Sequence, residues 1–238
     1  MTGSDPAVTA TLDVALDDLA RARNYNAWLF DRVRPYLGAR VLDAGAGIGT
    51  FVELAAAAGS DVTALEPDPV FAARLRARLP GTTVVEVPAE SLPPALGGFD
   101  TVVCLNVLEH VERDADALER FRDALLPGGR LLLLVPAHPH LYGYYDRAAG
   151  HVRRYSKGSL RRLLEGSGFA VETLRHVNPV GALGWLAGVR LRRRDAWPSS
   201  EFRTFDRLVP LLRPLDALRL PFGLSLWAVA TVGRDRGR

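Results

Sequence analysis

The segment from Val41 to Phe51 constrains the fold more than any other part of this chain. Apolar residues lead to Asp43, glycines follow at alternate positions, and an Ala-rich helical stretch begins at once. Glycine permits positive φ and a close approach of ligand to backbone, and a helix N-terminus presents unpaired N–H groups. This order predicts a strand, a tight turn and a helix that together bind a ligand.

The rival interpretation of this turn is the dinucleotide fingerprint G-x-G-x-x-G, which holds a pyrophosphate. Here the glycines are Gly45, Gly47 and Gly49, and the third fingerprint position falls on Thr50. The preceding Asp43 would repel a pyrophosphate, whereas it suits a ligand with positive charge, such as a sulfonium with an amino-acid tail. The spacing therefore favours S-adenosylmethionine (SAM) over NAD.

Four further segments follow the order of motifs in a known family. They are residues 64–68, 87–90, 99–110 and 126–136. With the glycine-rich segment, they make residues 41–136 resemble the class I SAM-dependent methyltransferases, and in particular a bacterial small-molecule subgroup, methyltransferase types 11 and 12. The resemblance implies SAM as the cofactor and an enzyme that transfers its methyl group.

Apolar strands alternate with helical segments along the centre of the chain, which predicts a parallel sheet covered on both faces. The resemblance adds an antiparallel last strand, so we expect an α/β, Rossmann-like, doubly wound sheet of seven mainly parallel strands. The expected strands are residues 39–44, 61–66, 83–87, 99–105, 130–136, 169–177 and 224–232. The expected parts are an N-terminal helical cap (1–37), a SAM-binding core (38–178), an insertion (179–221), and a last strand with its tail (222–238).

The resemblance also implies which residues hold the cofactor. Asp43 would contact the methionine part, although capping the glycine turn is its alternative role. Glu66 would accept both ribose hydroxyls, which suits a carboxylate, and Ala89 with Glu90 would lie beside the adenine. The full expected cofactor set is Tyr25, Asp43, Gly45, Gly47, Glu66, Pro67, Ala89, Glu90 and Asn106.

The loop of residues 142–155 carries the candidate acceptor chemistry. If the acceptor is a hydroxyl, a general base is needed, and His151, His110 and His138 are the candidates in that order. We expect Tyr145, Arg153 and Arg154 to bind the substrate, because arginines pair with carboxylate or phosphate. The alternative is that the two arginines pin the loop by pairing with Asp146 or Glu165.

Together these features predict a SAM-dependent methyltransferase that acts on a small molecule, anionic or lipid-like, with transfer to oxygen. Transfer to nitrogen or carbon, a nucleic-acid methyltransferase and a non-enzymatic SAM-binding protein remain alternatives. A pI of 9.3 permits nucleic acid. However, the turn at Asn106 lacks the Asn/Asp-Pro-Pro-aromatic pattern of many base-amine methyltransferases, and no aromatic stacking platform is visible. We therefore expect no nucleic-acid partner.

Composition narrows the remaining classes. With one cysteine, Cys104, the chain forms no internal disulfide, which fits a reducing cytoplasm. Neither a Cys cluster nor an H-E-x-x-H motif is present, so we expect no metal site. We expect no signal peptide and no membrane-spanning segment. The apolar stretch 179–189, followed by Arg190 and the arginines at 192–194, predicts a lid, a homodimer contact or a peripheral membrane contact.

Overall fold

The computed structural model describes residues 16–185, 199–218 and 220–233. The beginning of the expected N-terminal cap and the arginine-rich half of the expected insertion therefore lie outside the described residues. The strands are β1 (Arg40–Ala44), β2 (Asp61–Leu65), β3 (Thr83–Val85), β4 (Phe99–Leu105), β5 (Leu125–Pro136), β6 (Phe169–Val177) and β7 (Ser225–Val232).

These strands form one seven-stranded sheet in the order β3-β2-β1-β4-β5-β7-β6. The pairs from β3 to β5 are parallel, whereas β7 runs antiparallel to both β5 and β6. The predicted fold class is confirmed. The carboxyl ends of the parallel strands meet at one edge of the sheet, where open α/β sheets bind their ligands.

Helices flank the sheet. They are α1 (Arg23–Val33), α2 (Thr50–Ala57), α3 (Pro69–Arg78), α4 (Asp114–Ala124), α5 (Tyr144–Ala148), α6 (Lys157–Gly166), α7 (Pro179–Trp185) and α8 (Ser199–Leu212). Short 3-10 turns span Arg34–Tyr36, Ala89–Ser91, Leu108–His110, Pro139–Leu141 and Arg213–Leu218. None of the helices in the described ranges combines the length and the apolar character needed to cross a membrane.

The sheet separates two hydrophobic clusters, because successive side chains of a strand point to opposite faces. In β1, Leu42 packs into one cluster and Val41 into the other. In β5, Leu131 and Leu132 divide in the same way. These central strands are apolar on both faces for this reason, and their burial holds the ligand-binding edge rigid.

The strand β5 begins earlier than the sequence pattern predicts, at Leu125 rather than residue 130. Phe99 pairs with Leu125 but Thr101 pairs with Arg130, so the register shifts between these two pairs. The intervening Pro-Gly-Gly forms a bulge in the strand, with Gly128 at φ +80. The predicted turn was therefore an irregularity within β5, which a local turn signal does not distinguish from a true strand end.

The described part of the expected insertion packs against α1. Asp206 of α8 accepts a hydrogen bond from the Tyr25 backbone N–H at 2.8 Å, at the N-terminal end of α1. Beyond α8, Asp216 is buried and accepts hydrogen bonds from Trp28 Nε1 (2.8 Å), from the Asn178 backbone N–H (2.9 Å) and from Arg32. One carboxylate thus joins the first helix, the end of β6 and the segment before β7.

We expect Asp216→Ala to lower the free energy of unfolding by about 3 kcal/mol, because it strands a buried guanidinium and two N–H donors. Urea denaturation measures this loss. The control is Asp31→Ala, which removes an ion pair to Arg213 whose side chains are 40% and 52% exposed and should cost about 1 kcal/mol or less. Equal losses in the two variants would contradict the anchoring role of Asp216.

Candidate active site

The glycine-rich turn connects β1 to α2 at the ligand-binding edge. Gly45, Gly47 and Gly49 have φ of +74, +54 and +82, a region that side-chain-bearing residues rarely adopt. A Cβ on Gly45 would lie 2.3 Å from Cγ2 of Val107, in the turn after β4. The sequence therefore requires glycine here for backbone conformation and for the close approach of two loops.

Two buried carboxylates stand beside this turn. Asp43, in β1, is 3% exposed, and its Oδ2 has no hydrogen-bond partner among the described residues. Glu66 directly follows β2 and accepts hydrogen bonds from the backbone N–H of Gly47 at 2.7 Å and of Asp68 at 2.9 Å. Burial, with the nearby charge of Glu66, raises the pKa of Asp43 to about 7, and burial also raises the pKa of Glu66. The pair favours a ligand that brings positive charge or hydroxyl donors.

The remaining expected cofactor residues line the same edge of the sheet. Pro67 is exposed after β2, and the 3-10 turn after β3 contains buried Ala89 and half-buried Glu90. Asn106 follows β4 with φ +55 and is exposed. Its side chain hydrogen-bonds Tyr25 of α1, where burial raises the pKa of the phenol. The structure thus brings the nine expected residues to the carboxyl ends of β1, β2, β3 and β4.

The candidate histidines fall into two groups. His110 and His151 lie together, with ring centroids 4.7 Å apart in an edge-to-face arrangement. Burial and the neighbouring His151 lower the pKa of His110 to about 4. His138, at φ +64, instead stacks on His176 with centroids 5.0 Å apart. The three candidates therefore do not form one site.

A buried carboxylate positions His151. Asp146 has no exposed surface, and its Oδ1 lies 2.9 Å from Nδ1 of His151 and 2.7 Å from Nε of Arg154. Its Oδ2 accepts the backbone N–H of Gly143 at 2.9 Å. Burial alone would raise the pKa of Asp146, but the hydrogen bond from His151 and the charge of Arg154 hold that pKa below its usual value.

The two arginines of this loop have partners inside the protein. Arg154 pairs with Asp146 and lies over the ring of Trp185 at 4.2 Å from its centroid. Arg153 pairs with Asp114 at 2.6 Å. The pair with Asp146 matches the alternative in which Arg154 pins the loop. The other expected partner, Glu165, pairs with Arg161 instead. Tyr145 is half-buried, with its ring 6.3 Å from that of His151.

Glu109 is a candidate site residue that the sequence pattern did not indicate. It is 1% exposed, its Oε2 has no hydrogen-bond partner among the described residues, and burial raises its pKa to about 7. The sequence feature that could have indicated Glu109 is the Glu-His pair in the turn after the fourth strand. An acid there has an ordinary surface interpretation until burial is known.

Comparison with known proteins identifies the family. Residues 16–174 match the methyltransferase domain family. A tRNA U34 carboxymethyltransferase of Azotobacter vinelandii is 39% identical over 115 residues, or 44% of this chain and 36% of that enzyme. A ubiquinone biosynthesis O-methyltransferase of Xanthomonas euvesicatoria is 40% identical over 104 residues, or 40% of this chain and 42% of that enzyme. The chain therefore spans well under half the length of these relatives.

A solved structure agrees in fold. A SAM-dependent methyltransferase of Mesorhizobium loti superposes with a TM-score of 0.62 at 20% identity, and the match covers 86% of this chain and 97% of that one.

The relatives correct two expectations about the acceptor. We expected a small molecule methylated on oxygen and no nucleic-acid partner. However, relatives at 35 to 40% identity over 115 to 125 residues are named tRNA U34 carboxymethyltransferase, and these matches are longer than the one to the ubiquinone enzyme. Both expectations are therefore wrong. They rested on missing base-recognition motifs, and such motifs are not shared by all enzymes that modify RNA.

The predictions of an enzyme and of its cofactor are confirmed. The family match covers the glycine turn, Asp43, Glu66 and the sheet up to Leu174. The unpartnered oxygen of Asp43 and the glycine-rich turn fit a cationic adenosine-bearing ligand. The chain belongs to the methyltransferase domain family and is a class I SAM-dependent methyltransferase.

Proposed function

We propose that this chain transfers the methyl group of SAM to a nucleotide of tRNA. The observation that carries the proposal is the set of relatives at 35 to 40% identity that bear a tRNA-modifying name. The net charge of +3 and the pI of 9.3 favour a polyanionic partner. We assign the reaction to the cytoplasm, as expected for a chain with a single cysteine.

In this proposal the buried edge of the sheet holds the cofactor. Asp43 faces its positively charged methionine part, and Glu66 accepts the ribose hydroxyls through the lone pairs left free by its two backbone hydrogen bonds. Pro67, Ala89 and Glu90 border the adenine. Gly45 and Gly47 allow close approach of the backbone, while Tyr25 and Asn106 close the crevice from α1 and β4.

When bound, SAM supplies an electrophilic methyl group on a sulfonium. The protein's contribution is chiefly alignment of the acceptor for in-line displacement. His151 is the proposed proton acceptor, because Asp146 orients its ring through Nδ1 and leaves Nε2 for the substrate. The half-buried Tyr145 beside it would position the acceptor.

An exposed aromatic side chain within residues 142–155, that of Tyr144, suits a nucleobase. Tyr144 opens α5 with 48% of its surface exposed, and the guanidinium of Arg147 lies over its ring at 4.7 Å. Stacked base–aromatic contacts are typical of single-stranded RNA recognition. The pair thus supplies the stacking surface that the sequence pattern did not reveal.

The decisive experiment incubates the protein with tRNA and SAM labelled in its methyl group. We expect label in the acid-precipitable RNA, sensitive to ribonuclease and absent with heat-killed protein. Tyr144→Ala should raise the KM for tRNA roughly 5- to 150-fold, equivalent to about 1–3 kcal/mol of lost stacking, with little change in SAM affinity.

The matched control for that variant is Arg120→Ala, an exposed arginine of α4, which should leave the KM for tRNA within about twofold. RNA that stays unlabelled by protein that demonstrably binds SAM would exclude tRNA methylation. A carboxymethylated SAM derivative, tested as an alternative donor, shows whether the transferred group is methyl.

The role of Glu66 is tested by cofactor binding. Glu66→Ala should weaken SAM binding by about 1–3 kcal/mol, because it removes charge-assisted hydrogen bonds to the ribose. Isothermal titration calorimetry measures the change. Glu86→Ala removes an acid that pairs with Arg76 and is 39% exposed, and it should not alter affinity. An unchanged Kd for Glu66→Ala would place the ribose elsewhere.

Because the pKa of Asp43 is raised, we expect both fold stability and SAM affinity to depend on pH. In the cofactor-free protein its carboxyl pKa of about 7 exceeds the unfolded value, so its contribution destabilises the fold progressively as pH rises from about 4 to 7. A cationic ligand favours the charged carboxylate. We therefore expect SAM affinity to increase between about pH 5.5 and pH 7, with proton release on binding.

Calorimetry in two buffers with different ionisation enthalpies measures the released protons. Asp43→Asn should bind SAM more weakly and lose most of this pH dependence, because the amide does not titrate. The same proton release in both proteins would show that another group is responsible.

A further inference from the structure

Three metal-ligating side chains converge beside the proposed acceptor site. Glu109 and His110 lie in the 3-10 turn after β4, and His151 follows α5; one ligand atom from each lies within 4.8 Å of the other two. We call Glu109, His110 and His151 the Glu-His-His cluster. Glu109 is 1% exposed, and its Oε2 has no hydrogen-bond partner among the described residues. A buried carboxylate oxygen without a partner is costly, and a cation would offset that cost.

The ring of His151 is held as that of a metal ligand usually is. Its Nδ1 bonds to Asp146 at 2.9 Å, and the ring of His110 lies edge-to-face to it with centroids 4.7 Å apart. The second nitrogen of His151 is therefore left for a ligand. In metal sites such a hydrogen bond to a carboxylate fixes the tautomer and the ring orientation.

The two segments that supply the ligands are tied to each other. The backbone N–H of Val152 donates to the carbonyl of Glu109 at 2.8 Å, and the hydroxyl of Tyr155 donates to the carbonyl of Leu108 at 3.2 Å. Asp146 is in turn held by Arg154 and the Gly143 N–H. The cluster is thus fixed by buried contacts, which distinguishes it from a chance meeting of surface side chains.

We propose that the Glu-His-His cluster binds a divalent transition-metal ion, with zinc as the first candidate. Two imidazole nitrogens and one carboxylate form a ligand set that suits zinc, and three protein ligands leave a position open for a substrate oxygen or water. Zinc ligands about 2.1 Å from the ion lie roughly 3.4 Å apart, so the observed spacing requires a closure of about 1.4 Å at most.

The ion would lie on the acceptor side of the crevice. The charge of Glu109 acts on the phenols of both Tyr25 and Tyr145, which places the cluster within electrostatic reach of the two tyrosines. The His151 nitrogen that would hold the ion is the one proposed above as the proton acceptor, and it cannot do both at once, so stoichiometric zinc would replace that role of His151. Metal binding is measured without RNA, and its failure is therefore distinguishable from failure of the tRNA proposal.

The test uses untagged protein, stripped with a chelator and dialysed into metal-free buffer, then titrated with zinc chloride. We expect one zinc per chain by calorimetry and by elemental analysis. Glu109→Gln keeps the side-chain shape and should weaken zinc binding at least 100-fold, and His151→Ala should do the same. Cobalt substitution should give visible absorption bands in the parent protein that both variants lose.

The matched control is His176→Ala, which removes the ring stacked on His138 and leaves the cluster intact, so that zinc affinity should not change. Circular dichroism melting verifies that each variant is folded. If one of the variants is unfolded, His110→Gln is tested in its place. No stoichiometric zinc in the parent protein, or equal affinity in the parent and Glu109→Gln, would overturn the proposal.

Discussion

Buried carboxylates at the carboxyl edge of the sheet are the constraint on which the site depends. Burial raises the pKa of Asp43, Glu66 and Glu109, so the folded protein retains three groups that cost free energy when ionised without a partner. A structural core would replace them with apolar residues of similar volume. Their presence is explained by the ligands that we propose for them: a cationic cofactor for Asp43, ribose hydroxyls for Glu66 and a metal ion for Glu109.

A second buried carboxylate system orders the loop of residues 142–155, which lies beside Glu109. Asp146 joins His151, Arg154 and the Gly143 N–H, and Arg154 in turn packs on Trp185 of α7. The first part of the expected insertion therefore supports the loop of residues 142–155 through a cation–π contact. Trp185 is buried, so its ring serves packing within the protein. Residues 186–198, which hold the arginines of the predicted membrane contact, lie outside the described residues.

The sequence predicted the elements whose signals are local. The glycine turn needs positive φ, which favours glycine at position 45. The central strands need burial on both faces, which favours apolar residues such as Leu42. Contacts between distant segments produce no such local sequence pattern. The start of β5 depends on register against Phe99, the role of Asp216 depends on Trp28 far along the chain, and the burial of Glu109 depends on the loop that covers it.

The acceptor was mispredicted for a related physical reason. A cofactor site is built from backbone turns and carboxylates whose spacing is preserved in the sequence, whereas an RNA surface needs only exposed charge and aromatic rings in suitable places. Tyr144 and Arg147 are ordinary residues in the sequence, and only the short helix α5 brings the guanidinium over the exposed ring. In the proposed tRNA function, recognition of the polyanion would be spread over surface residues that no compact motif records. The absence of such a motif is weak evidence against a nucleic-acid substrate.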